Sequence, residues 1–352
     1  MRYGLIPTRL AERVAFWLGR VPVGVADALL PLVQTRSLMA AVRLGIADAI
    51  GTGQVSAVDI ARSCNLDAAA VDMLLRVLVA SGYLSRSGAS SQSPALYRLS
   101  SLGRRTLLSG SPLEARGYLT WNFVQWDLTE SLEELLRTGR GIDLHKTLNG
   151  EEKWRCYQQA MLDLSRVAAP ILARLVPVKP SAEYLLDVGG AHGLLGAAIC
   201  RQHPPMRSIA LDLGPAIEQA RDIARTQGID TLVEHRACDV LKDDFPAEMD
   251  VVLLSNIIHH FKKDDAIRVL QKARTALKDD GTVAIWDVDR PSADAAPELA
   301  ADACALYFRL TSTSQVVCGE DYAAWLREAG FDGVRVKRPL MAPVQVLVLG
   351  TK

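Results

Sequence analysis

The sequence predicts an α/β fold in which a mostly parallel sheet carries helices on both faces, preceded by a mostly helical N-terminal domain. Two observations predict it. From Tyr184 onward, apolar runs of strand length alternate with stretches of helical periodicity, the pattern of parallel strands joined by crossover helices. Before that point apolar residues recur at helical spacing, until the pattern stops at Pro177 and Lys179, Pro180 and Ser181 mark a boundary.

A chain of 352 residues, 49% of them apolar, is long enough for two domains and a substantial core, which excludes a disordered or fibrous protein. Lys plus Arg and Asp plus Glu both number 40, so no global field draws the chain to nucleic acid or to an anionic membrane. The six cysteines, Cys64, Cys156, Cys200, Cys238, Cys304 and Cys318, are scattered without a CxxC pair, which predicts reduced thiols in the cytoplasm and no metal site. No apolar stretch of membrane-spanning length, and hence no stable membrane insertion, is expected. The segment "RLAERVAFWLGRVPVGVADALLPLV" is amphipathic and predicts a helical face buried against another domain or subunit, with a membrane surface as the alternative.

From Gln34 to about Leu108 the pattern is three helices and a hairpin. "SLMAAVRLGIADAI" repeats apolar residues at helical spacing, "SAVDIARSCN" is a short capped helix, and "DAAAVDMLLRVLVASGYL" is a longer one ended by Gly82. "YLSRSG" and "LYRLSS" flank a Gly/Ser loop and read as a two-stranded wing. A DNA-reading winged helix places Arg, Lys, Asn or Gln at the start of its second helix, whereas this one offers Ala68, Ala69, Ala70, Val71 and Asp72. That surface suits protein contact, and a homodimer is the expected assembly.

Residues 112–178 are again mostly helical, opening on the aromatic-rich "YLTWNFVQWDL" and continuing with "EEKWRCYQQAMLDLSRVAAPILARLV". Beyond the boundary, "YLLDV", "RSIALD", "LVEHRACD", "MDVVLLSN" and "TVAIWDV" read as strands. "LLGAAICRQ", "AIEQARDIARTQG" and "DDAIRVLQKARTALKDDG" read as the helices between them.

In such a sheet ligands sit outside the carboxyl ends of the strands, so the strand tips hold the candidate contacts. The first ends in Asp187 and the loop Gly189, Gly190, Ala191, His192, Gly193; the others end at Asp212, at Cys238-Asp239-Val240, at Ser255-Asn256 and at Asp287. Three glycines between a strand and a helix allow close backbone approach to a ligand. No Lys or Arg follows them to meet a phosphate, and acids at successive tips repel a pyrophosphate while accepting hydrogen bonds from ribose hydroxyls and an adenine amino group. A cationic, phosphate-free adenosine derivative fits, and S-adenosylmethionine is the obvious one.

At these residues, from Gln34 to the C-terminus, the chain resembles S-adenosylmethionine-dependent O-methyltransferases that have a winged-helix dimerisation domain ahead of a Rossmann-like catalytic domain. Plant caffeic-acid and flavonoid enzymes, acetylserotonin methyltransferases and bacterial natural-product tailoring enzymes belong to this class. "LLDVGGAHG" is similar to its cofactor loop, with Ala191 in place of a usual glycine. By resemblance, Asp212 in "LDLGPAIEQA" holds the ribose, with Leu213 beside it; Asp239 in "CDVLKDDFP" meets the adenine, with Val240 beside the ring. "LLSNIIHHFKKDDAIRVL" resembles the segment carrying the catalytic base, which places that base at His259, with His260 where the plant enzymes usually have Asp. "TVAIWDVDRP" places Asp287 as the acid set against it, and "YQQAM" lends Met161 to the acceptor pocket. Ser255 is added to the cofactor contacts, and Asn256, Trp126 and Phe308 to the acceptor contacts.

The resemblance implies residues 1–110 as the dimerisation domain, 111–178 as a helical connector contributing to the acceptor pocket, and 179–352 as the catalytic domain. A small-molecule acceptor, aromatic or polyketide-like, is expected to be methylated on a hydroxyl, with no nucleic acid as partner. A further acid of the plant enzymes falls at or near Val316 here, which keeps open methyl transfer to carbon or nitrogen, or a decarboxylation or hydroxylation by a relative that keeps the fold. A winged-helix regulator is the remaining alternative. Each residue also has a plainer reading: Met161 as core, His192 as a backbone-bonded turn residue, His260 as a solvent-side or capping residue, Asp287 as a loop cap. Trp121, Phe123 and Trp126 either wall a flat acceptor or pack a domain junction.

Overall fold

The computed structural model of the chain describes residues 6–88, 94–292, 294–314 and 316–352. The centre of the Gly/Ser loop of the wing and the first five residues lie outside the described residues. Contacts divide the chain into two compact units, residues 1–123 and 124–352.

The first unit contains α1 (Leu10–Trp17), α2 (Val23–Arg43), α3 (Ile46–Ile50), β1 (Val55–Ser56), α4 (Ala57–Cys64), α5 (Ala68–Ala80), β2 (Leu84–Ser87), β3 (Leu96–Leu99) and α6 (Ser101–Leu107). The single helical pattern at residues 37–50 breaks in two at Leu44 and Gly45, where the backbone turns through a left-handed φ of +72° that glycine adopts without a Cβ penalty. Side chains cap the next two helices: Ser56 Oγ accepts from the Asp59 amide at 3.2 Å and Asp67 Oδ1 from the Ala70 amide at 2.8 Å, each worth about 1 kcal/mol. The wing strands β2 and β3 pair antiparallel, and β1 adds to β3. Asp72, at a position where a DNA reader would be sought, instead accepts a hydrogen bond from the buried Tyr97 hydroxyl at 2.5 Å, tying α5 to the wing.

Only the C-terminal half of α2 is buried, through Leu38, Met39, Ala41 and Val42. Its N-terminal half leaves Val25, Leu29, Leu30, Leu32 and Val33 exposed, and α1 leaves Leu10 and Trp17 at 78% and 84% exposure. The expectation of no span-length apolar helix needs correction: α2 has 21 residues and an 18-residue window of mean hydropathy 1.2. It passes by length because the helix begins at Val23 and runs unbroken through Pro31, joining two sequence segments that read separately.

Helix α7 (Arg116–Thr129) leads into the second unit, which continues with α8 (Leu132–Thr138), α9 (Leu144–Thr147) and α10 (Glu151–Leu175). There follow β4 (Tyr184–Val188), α11 (Leu194–Gln202), β5 (Arg207–Asp212), α12 (Gly214–Thr226), β6 (Val233–Ala237) and β7 (Met249–Ser255). A 3-10 turn (Ile258–His260), α13 (Lys263–Ala276), β8 (Leu277–Val288), α14 (Leu299–Thr311), α15 (Gly319–Glu328), β9 (Asp332–Lys337) and β10 (Gln345–Thr351) complete it. The seven strands lie in the order β6-β5-β4-β7-β8-β10-β9, parallel except for β10, which runs antiparallel to both neighbours.

Both faces of the sheet are covered at its centre, so the central strands β4 and β7 are largely apolar and alternate residues serve two cores. Val252 and Leu254 join Val188, Ile285 and Val348 on one face; Val251 and Leu253 join Leu185, Trp286 and residues of α10 and α11 on the other. The helix expected to run through "ALKDDG" stops at Ala276. Leu277 already pairs with Met249, and the register shifts before Thr282 pairs with Val251, with Asp280 at a positive φ of 58° in the irregular stretch. Chain order reverses between β4 and β7, which opens a crevice at their carboxyl ends.

Candidate active site

The loop after β4 turns through Gly189, at φ +66°, and Gly193, at φ +79°. A Cβ on Gly193 would stand 2.5 Å from Val233 Cγ1, so neither the dihedral nor the space admits a side chain. Ala191 also takes a positive φ of 49°, and its amide donates to Asp212 Oδ2 at 2.8 Å. The Gly190 amide donates to the Leu211 carbonyl, and His192 Nδ1 accepts from the Leu194 amide at 3.1 Å, so His192 braces the turn. Burial pushes its imidazole down to about 4.

Asp187 is fully buried at the end of β4. Its Oδ2 accepts from the Gly196 amide at 3.2 Å while Oδ1 has no partner. Burial, opposed by that amide and reinforced by nearby Asp212, raises the carboxyl to about 7. Asp212, at the end of β5, accepts from the Ala191 and Leu213 amides and is raised by burial to about 6. Neither acid is paired with a cation among the described residues. Two desolvated carboxylates beside a glycine cradle, one with an orphan oxygen, suit a ligand that brings hydroxyl donors and positive charge. Asp239 is salt-bridged to Lys242 at 2.7 Å, Val240 is buried beside it, and Leu213 is the exposed N-cap of α12. Ser255 ends β7 buried, and Asn256 follows in left-handed backbone.

Across the crevice, the 3-10 turn after β7 presents His259, 1% exposed, to the fully buried Asp287 of β8. His259 Nδ1 lies 2.6 Å from Asp287 Oδ1, and the same carboxylate accepts from the His259 amide at 3.2 Å and the Val288 amide at 2.7 Å. A carboxylate ringed by donors can only accept, so Nδ1 carries the proton and, in the neutral imidazole, Nε2 holds the lone pair. That Nε2 is buried and has no hydrogen-bond partner.

Phe308 of α14 packs its ring 4.3 Å from the His259 ring. His260 is partly exposed, and its ring stands 4.1 Å from that of His259 and 5.0 Å from that of His145 of α9. Met161 and Tyr157 stand one helical turn apart on α10, and Tyr157 Oη lies 3.4 Å from His145 Nε2. Trp126 is half-buried on α7. Trp121 is buried and Phe123 lies under the guanidinium groups of Arg36 and Arg43 at 4.6 and 4.5 Å, so within the first unit these two rings pack the helices. Sequence reasoning did not single out His145, Trp154 or Tyr157, although "YQQAM" contains the last of them.

The O-methyltransferase domain family matches residues 130–332, more than half of the chain, and the O-methyltransferase dimerisation domain family matches residues 27–109. The chain belongs to the O-methyltransferase family. It is an S-adenosylmethionine-dependent methyltransferase with an N-terminal dimerisation domain. The 3-hydroxy-5-methyl-1-naphthoate 3-O-methyltransferase of Streptomyces sahachiroi is 25% identical over 94% of this chain and 95% of its own length. The N,N-dimethyltransferase OxyT of Streptomyces rimosus is 26% identical over 88% of this chain and 92% of its own length. Human N-acetylserotonin methyltransferase, solved in complex with SAM, shares the fold with a TM-score of 0.81 at 18% identity, covering 99% of both chains.

Proposed function

We propose that this methyltransferase acts on a hydroxyl of a small aromatic or polyketide-like metabolite, with His259 as general base and Asp287 as the acid that orients it. The observation that carries this reading is the buried, unpartnered Nε2 of an imidazole whose other nitrogen is held 2.6 Å from a buried carboxylate. Asp212 would hold the ribose hydroxyls, Asp239 and Val240 the adenine, and the backbone of Gly189, Gly190 and Gly193, with Asp187, Leu213 and Ser255, the remainder of the cofactor. S-adenosylmethionine supplies an electrophilic methyl carbon on a sulfonium. A phenolic hydroxyl is mostly neutral near neutral pH, and His259 Nε2 takes its proton as the oxygen becomes nucleophilic. Asp287 keeps the proton of the resting imidazole on Nδ1 and stabilises the imidazolium that forms. Residues 111–178 contribute Met161 and Trp126 to the acceptor wall, joined by Asn256 and Phe308.

Incubating the enzyme with methyl-labelled cofactor and a panel of hydroxylated aromatics tests the reading. Label is expected in an O-methyl ether; label on carbon or nitrogen, or none, contradicts it. A second reading, transfer to nitrogen, is favoured by the relationship to OxyT and by Val316, a buried aliphatic residue near the place of the family's further acid. The same product analysis separates the two.

The raised acids predict the pH dependence of cofactor binding. Their ionised forms accept ribose hydroxyls and favour a sulfonium, and their neutral forms dominate below about 6 and about 7. Affinity therefore rises with pH, by up to about tenfold per unit for each proton released. Calorimetry between about pH 5 and about pH 8, repeated in buffers of different ionisation heat, reads both the slope and the proton release.

The exposed apolar faces of α1 and α2, lying in and beside the dimerisation-domain match, are read as the seat of a second copy and make the enzyme a homodimer. Its six cysteines are all free, consistent with a cytoplasmic enzyme.

A further inference from the structure

The base does not stand alone. A run of rings passes from Phe308 to His259, to His260, to His145 and on to Tyr157, with centroid separations of 4.3, 4.1, 5.0 and 5.6 Å. Trp154 stacks against His145 at 6.3 Å. Three imidazoles this close cannot all be charged. Burial first, then the neighbouring His259 and His145, holds His260 well below its ordinary value, and burial lowers His145. A neutral imidazole carries one donor and one acceptor nitrogen.

The spacing of the two consecutive histidines is fixed from several sides. Asp287 accepts the His259 amide, Ser314 Oγ donates to the Phe261 carbonyl at 2.5 Å, and Ser312 Oγ donates to the His259 carbonyl at 3.4 Å. The His145 ring stands 5.0 Å from that of His260 at an interplanar angle of 74°. His145 itself is held by Tyr157, but among the described residues no hydrogen bond is made by the His260 ring. The His260 ring is partly exposed, so the donor and acceptor nitrogens of its neutral form stand open to water or to a ligand.

We propose that His260, backed by His145, is a specificity-determining residue that hydrogen-bonds a second polar substituent beside the hydroxyl to be methylated, so that the acceptor is recognised as a vicinal pair of heteroatoms. Adjacent oxygen or nitrogen atoms on one aromatic ring lie about a hydrogen-bond length apart, and two imidazoles with centres 4.1 Å apart can meet both at once. One atom gives its proton to His259 Nε2; the other completes His260. An acceptor with a single hydroxyl leaves His260 unpaired and is disfavoured. This inference rests on His259 as the base, and His260 takes no proton in the reaction.

The test compares catechol with phenol, and a vicinal naphthalenediol with naphthol, both by kcat/KM and by calorimetric binding to the enzyme loaded with S-adenosylhomocysteine. The wild type is expected to prefer the paired compounds by about 10- to 100-fold. His260→Phe keeps a ring in place and should bring that ratio to within about threefold of one, while His260→Asn, which retains a donor and an acceptor, should restore much of it. His145→Ala removes the ring that stands against His260 and should lower the ratio part-way. Single-hydroxyl compounds bound as tightly as paired ones, no binding of any paired compound, or an unchanged ratio in His260→Phe overturns the proposal. The ratio is read within each variant, so a partial loss of folded protein cancels, and the wild-type ratio stands if a variant fails to fold. Full kcat in His259→Ala would instead sink the base assignment, while the binding preference still reports on His260.

Discussion

Replacing His259 with alanine lowers kcat by about a hundred- to ten-thousand-fold, the range that a positioned general base supplies. Its affinity for S-adenosylhomocysteine should stay near that of the wild type. The two outcomes separate because the imidazole belongs to the 3-10 turn after β7, whereas Asp187, Asp212 and the glycine loop belong to β4 and β5. Removing the ring also leaves Asp287 with two amide donors, those of His259 and Val288, so the carboxylate is not stranded and the turn keeps its anchors. Steady-state kinetics with calorimetry on the same preparation checks both halves. Lost cofactor affinity with intact turnover would count against the assignment.

Asp287→Asn is expected to cost a comparable factor in kcat, with the fold retained at a loss of about 1–3 kcal/mol. The carboxylate accepts three bonds at once, and an amide can keep only those on its oxygen. If its NH2 faces the ring, Nδ1 must become the acceptor and the proton moves to Nε2, where it blocks abstraction. If its oxygen faces the ring, the imidazolium loses the negative charge that stabilises it. Either way kcat falls more than KM rises, and thermal melting separates that effect from unfolding.

The parts of the fold legible in the sequence are those where local pattern and burial agree. "YLLDV" and "RSIALD" read as strands carrying Asp187 and Asp212 at or next to their ends because a strand covered on both faces is mostly apolar up to its ligand-facing tip. "SAVDIARSCN" reads as a helix because Ser56 caps it. β9 and β10 went unread: "DGVRVK" is short and largely exposed, and "QVLVLGT" takes its place from pairing with β8. The early start of β8 was hidden because Ala276, Leu277 and Lys278 are helix formers whose pairing with β7 outweighs their local preference.

At the site, residues on strand tips were legible because tips follow one another in chain order. His145 and its ring contact with His260 were not, since α9 is a single turn without periodicity and the contact joins segments far apart in sequence. Tyr157 occupies the helix face of Met161, one turn earlier, and that spacing was available to be read.

If His259 takes a proton from the acceptor oxygen, its contribution depends on the acidity of the acceptor. The rates of wild type and His259→Ala are compared across substituted phenols whose pKa falls from well above to well below the assay pH. The gap between the two enzymes is expected to close as the acceptor arrives already ionised, because no proton is then left to remove. A gap that stays constant across the series would show that the imidazole does something other than accept that proton.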